Sequence, residues 1–187
     1  MSQPEPSPSN AIELRVDRVS QLFQTLDPYP FREKDLDPDA EEFIVGWARE
    51  LPRDSRLTII IHMPRALCSP AVAADLKAAI NGYFRNRAEV VGFDLKERFR
   101  VGRRSLAIGL TVLAVCIVAS RAIGSLSPAP LYRTLAESLL ILGWVANWKP
   151  LEFFLYDWWP IRRRRRLLER LAVADVELRA QEEPKPA

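Results

Sequence analysis

The stretch "SLAIGLTVLAVCIVASRAIG", Ser105 to Gly124, decides how the chain is read, because it carries one charge, Arg121, close to its end. About 18 apolar residues rising 1.5 Å each cover about 27 Å, close to the hydrocarbon thickness of a bilayer. A buried helix of a soluble protein is the competing reading. It is disfavoured because no equally apolar partner helix precedes the stretch.

Working outward, the break "SLSPAP" brings two prolines that end the helix. A second apolar run from about Leu135 to Trp159 follows and reads as a second span, tilted or kinked at Pro150. Basic residues flank the pair unevenly. Arg85, Arg87, Lys96, Arg98, Arg100, Arg103 and Arg104 precede the first run, Arg162 to Arg166 follow the second, and Arg133 alone lies between them. By the positive-inside rule both termini face the cytoplasm. The expected location is therefore the bacterial inner (plasma) membrane, multi-pass.

Candidate membrane-interface residues are Trp158, Trp159, Arg162, Arg163, Arg164, Arg165 and Arg166. Amphipathic rings suit the boundary, and arginines there attract anionic headgroups by about 1 kcal/mol each. Nucleic acid is the sharper alternative for the arginine run and is disfavoured, because a stop-transfer role already calls for it. Asn147, Lys149 and Glu152 form a candidate intramembrane polar patch. Counting from a short inter-helix loop puts Lys149 level with Ser105, near the inner boundary, with Glu152 at i+3 to pair with it. A loop reaching Glu137 would put Lys149 near mid-membrane, and the shallow placement is preferred. Small residues recur at Ser105, Gly109, Cys116, Ser120 and Gly124, and again at Ala136, Gly143 and Asn147, as helices packed in lipid require.

Upstream, residues 11–68 read as an α/β unit. "IELRV" alternates as a half-buried strand, and "LTIIIHM" reads as a second, more buried one. Between them lies a helix with Asp37 as N-cap, Pro38 at N1 and the apolar stripe Ala40, Phe43, Ile44, Trp47, Ala48 and Leu51. Ser69 and Pro70 open a long amphipathic helix, 69–104, leading to the membrane. Residues 161–180 read as a basic juxtamembrane helix, and 1–10 and 181–187 as disordered tails. The expected fold class is α+β/membrane: a β-α-β-α cytoplasmic unit, a two-helix transmembrane hairpin (105–124 and 135–159) and a C-terminal basic helix. Two strands alone leave an open edge on "LTIIIHM", which predicts self-association.

Hydrophobic content of 48% and charged content of 27% conceal this segregation, and the net charge of +3 says less than where the arginines cluster. The lone His62 lies on an apolar strand and reads as structural. The two cysteines, Cys68 and Cys116, have no ligand spacing, and the seven glycines form no phosphate loop. Hence no catalytic, metal or cofactor-binding residue is assigned, no cofactor is expected, and the chain is not read as an enzyme.

The stretches "LDPYPFREKDLDPDAEEFIVGWARELP" and "WKPLEFFLYDWWPIRRRRRLLERLA" resemble those of an uncharacterised family of small bacterial two-span membrane proteins. The resemblance implies a soluble front domain ahead of a membrane hairpin, and no activity. The function expected is a membrane-anchored adaptor or accessory subunit that self-associates and receives an unidentified protein partner. The alternative is a homo-oligomeric two-span channel or transporter-like subunit.

Overall fold

The computed structural model describes residues 11–23, 35–52 and 55–181. The tail readings for 1–10 and 182–187 lie outside these residues. Three parallel strands, β1 (Ala11–Arg15), β2 (Thr58–Met63) and β3 (Asp175–Ala180), are joined by four α-helices: α1 (Pro38–Glu50), α2 (Pro70–Leu126), α3 (Pro130–Glu152) and α4 (Trp158–Leu171). The chain divides into two compact units, residues 1–90 with 164–187 and residues 91–163.

In the first unit the sheet order is β1-β2-β3. Register sets Ile12 and Leu14 beside Ile59 and Ile61, and these beside Val176 and Leu178. Being central, β2 is buried on both faces, Thr58 and Ile60 included, whereas β1 alternates buried and exposed residues. Parallel pairing is the form that requires crossover connections, here α1 for β1 to β2 and all of α2 to α4 for β2 to β3.

Helix α1 starts as its residues dictate. Asp37 accepts a hydrogen bond from the Asp39 amide at 3.0 Å, Pro38 fills N1, and Asp39 and Glu41 lie in the positive first turn. Its buried residues are Ile44, Val45 and Ala48, while Phe43 and Trp47 stay 43% and 49% exposed with ring centroids 6.1 Å apart. The stripe that packs inward is thus rotated from the one expected, which had both aromatics inside.

Leu76, Ala79, Ile80, Phe84 and Ala88 of α2 and Leu168 and Leu171 of α4 complete the core. Tyr83 donates to Glu41 at 2.6 Å. Burial first, and then this carboxylate, push its phenol above the ordinary value, so it stays protonated. Arg170 donates to the carbonyls of Pro52 and Ser55 at 2.8 and 3.0 Å, tying α4 to the segment before β2.

The expected fold class is overturned on two counts. The protein is mostly helical with a small three-stranded parallel sheet, not a two-stranded β-α-β-α unit. The long helix expected over 69–104 continues without a break through the first apolar run, as one helix of 57 residues, α2. Among the described residues α2 is the one helix long and apolar enough to cross a membrane, so the two-helix transmembrane hairpin is not what the fold contains. The physical reason is visible in α3, where Arg133, Glu137, Asn147, Lys149 and Glu152 interrupt the apolar run.

The expected basic helix is corrected as well. It ends at Leu171, and Asp175–Ala180 form β3, with the Gln181 amide continuing the ladder onto the Met63 carbonyl at 2.9 Å. β2 therefore has no open edge, which removes the reason given for self-association.

Candidate membrane-embedded site

The second unit holds the apolar part of α2. Only 11% of its most apolar window is buried within the chain, unlike the core helix of a soluble protein. Ile108, Val115 and Val118 are 65%, 62% and 68% exposed.

One side of α2 is covered by α3, and the contacts run through small residues. A methyl group added at Gly143 would meet Leu113 Cδ1 at 2.8 Å and Cys116 Cβ at 3.1 Å. One added at Gly109 would meet Asn147 Oδ1 at 2.7 Å and the Ala146 carbonyl at 3.2 Å. Pro150 has no N–H to offer that carbonyl, so the helix is locally open where Gly109 approaches. Ser120 donates to the Ala136 carbonyl at 2.7 Å. Early residues of one helix meet late residues of the other, so the pair is antiparallel.

Asn147 is the polar centre of this packing. It is 3% exposed, and its amide donates to the carbonyls of Gly109 and Gly143, both at 3.0 Å. Its Oδ1 has no hydrogen-bond partner. Replacing Asn147 with alanine removes two bonds and one unpaired acceptor together, so the expected loss is modest, about 0.5–2 kcal/mol. Thermal unfolding in detergent measures it. A loss above about 4 kcal/mol would mean that the side chain holds more than these two carbonyls.

The expected polar patch does not form as one group. Lys149 donates to Glu152 at 2.9 Å, but the lysine side chain is 82% exposed while Asn147 is enclosed. A surface pair of this kind contributes little to stability.

After Glu152 the helix widens to a π-helical segment, Phe153–Asp157, before α4. Trp158 donates its indole N–H to the Phe154 carbonyl at 2.8 Å. Phe99 of α2 lies 5.4, 6.1 and 6.2 Å from the rings of Phe153, Phe154 and Trp158. Arg162 sits over the Trp158 ring at 5.7 Å, a cation–π arrangement. Phe153 also packs against the bare face of Gly102, 2.8 Å from where a Cβ would be.

Among the interface candidates, then, Trp158 packs within this cluster and Trp159 points outward, 72% exposed. Arg162 and Arg163 belong to this unit and Arg164, Arg165 and Arg166 to the other. Arg165 is paired with Glu169 at 2.8 Å. The aromatic cluster was missed in the sequence because Phe99 is more than fifty residues from its partners. Gly102 was the one available signal.

Among the described residues no group of three or more His, Cys, Asp or Glu side chains is placed to hold a metal ion. Compared with known proteins, the chain matches no family model, no curated protein and no solved structure. The resemblance drawn from two stretches of sequence therefore carries no function over.

Proposed function

We propose that the chain is a membrane-anchored adaptor or accessory subunit that holds a small parallel-sheet unit at the cytoplasmic face of a bacterial inner membrane. The observation that carries this reading is the pairing of β2 with β3. β2 precedes residues 91–163 and β3 follows them, so both flanks belong to one sheet, which supports a single compartment for the sheet unit. Arg98, Arg100, Arg103 and Arg104 before the apolar stretch, and Arg162 and Arg163 after it, favour the cytoplasmic side and anionic headgroups. Exposed Trp159 and Tyr156 suit the same boundary. Anchoring serves by raising the local concentration of the sheet unit for a partner protein at the membrane.

Two measurements test it. Tags at residue 11 and after residue 181 are expected to be protected in sealed spheroplasts and cleaved in inverted vesicles. Arginine at both Val115 and Val118 costs about 2.5–3.5 kcal/mol per residue on insertion scales, so the double variant is expected to leave the membrane fraction. Retention of that variant in carbonate-washed membranes at the level of the parent would sink the reading, as would cleavage of either tag from outside.

A further inference from the structure

The sheet carries a feature that anchoring does not use. Register sets Arg15 of β1 beside His62 of β2, and His62 beside Arg179 of β3. Alternation along the strands puts this row on the face opposite Ile12, Leu14, Ile59 and Ile61. An open groove of ≈ 330 Å³ lies at the carboxyl ends of the parallel strands, lined by Glu13, Leu14, Arg15, His62 and Gln181. The volume is at the lower end for small-molecule sites.

Partners within the cluster are unequal. His62 Nε2 lies 3.2 Å from Glu13 Oε2, and Arg179 is paired with Glu177 at 3.3 Å. Gln181 bends over the strand ends, its amide donating to the carbonyls of Val16 and His62 at 3.5 and 3.3 Å. Arg15 is left with the neutral Gln181 Oε1 at 3.4 Å, and no carboxylate of the described residues forms an ion pair with it. Among the described residues, this site thus holds one guanidinium without a charged partner, next to a carboxylate that still has acceptor sites free.

We propose that this groove binds a small organic acid bearing a hydroxyl or amino group next to its carboxylate. The ligand carboxylate takes the planar fork of Arg15 and displaces Gln181 Oε1, while Gln181 stays held by its own amide. The neighbouring donor group of the ligand is accepted by Glu13, beside His62. One unmatched cation fits a single negative charge, and the Glu13 carboxylate repels a dianion such as phosphate.

His62 is the only histidine of the chain, so its imidazole ring protons are identified without ambiguity by NMR in the full-length protein. Glycolate, glycine, acetate and inorganic phosphate are titrated separately at fixed pH and ionic strength. A saturable shift with glycolate or glycine is expected, with acetate about tenfold weaker for lack of the donor. Arg15→Gln is expected to weaken binding at least about tenfold, Arg15→Lys less, and Glu13→Gln to bring glycolate to the level of acetate. Arg98→Gln, in the other unit, changes nothing. No saturable shift with any carboxylate overturns the site, as does tighter binding of phosphate than of glycolate. Undiminished binding by both Arg15 variants, each verified as folded by circular dichroism, overturns it equally.

Discussion

A chain ending at Ala174, and so lacking β3, is expected to lose the folded sheet unit and to aggregate. β3 covers one edge of β2 with a full parallel ladder and adds the buried Val176. Without it the unit keeps two strands, which are marginal in water. The exposed edge would be "TIIIHM", a β-branched, nearly uncharged segment of the kind that pairs between molecules. The Lys77–Asp175 and Asn81–Ala174 contacts that tie α2 to this region are lost or loosened as well. Burial of one valine alone is worth about 1.5–3 kcal/mol, and the ladder adds to it, against a total domain stability of about 5–15 kcal/mol. Hydrogen exchange of β1 and β2 amides checks this. Protection equal to that of the full chain would show that β3 is dispensable.

Gly143→Leu is expected to separate α3 from the apolar part of α2. The clash is not with a flexible tip alone: besides Leu113 Cδ1, an added Cβ meets Cys116 Cβ and Leu113 Cα at 3.1 and 3.2 Å. Main chain cannot step aside cheaply, and a further three carbons would follow the first. Overpacking of this type costs about 1–3 kcal/mol or more. Gly124→Ala in the same unit meets nothing within 4 Å, so it should gain about 0.5–1 kcal/mol from helix propensity. Unfolding of the two variants in one detergent compares them directly. Equal stability of Gly143→Leu and the parent would mean that the two helices do not depend on this contact.

Local signals were legible in the sequence, and long-range ones were not. Asp37 with Pro38, and Ser69 with Pro70, marked the starts of α1 and α2, because capping is decided by adjacent residues. The small residues of α2 and α3 announced a close helix approach through their spacing. β3 was read as helix because "LLERLAVADVEL" satisfies a 3.6-residue period nearly as well as a 2-residue one. Only the pairing with β2 decides, and that pairing joins residues more than a hundred positions apart. Phe43 and Trp47 were assigned to the core for being large and apolar, but the buried side of α1 is filled by Ile44, Val45 and Ala48. The groove around Arg15 was invisible for the reason that hid β3: Gln181 reaches it only once the third strand is in place.

The position of β3 in the chain also orders events during translation. β1 and β2 leave the ribosome early, but their third strand is made only after residues 91–163. At about 5–20 residues per second, β2 waits on the order of 6–23 s for its neighbour. Its isoleucines stay unshielded throughout that interval. Synthesis of the intervening segment thus comes before completion of the sheet, and a nascent chain stalled inside it is the species most in need of a chaperone.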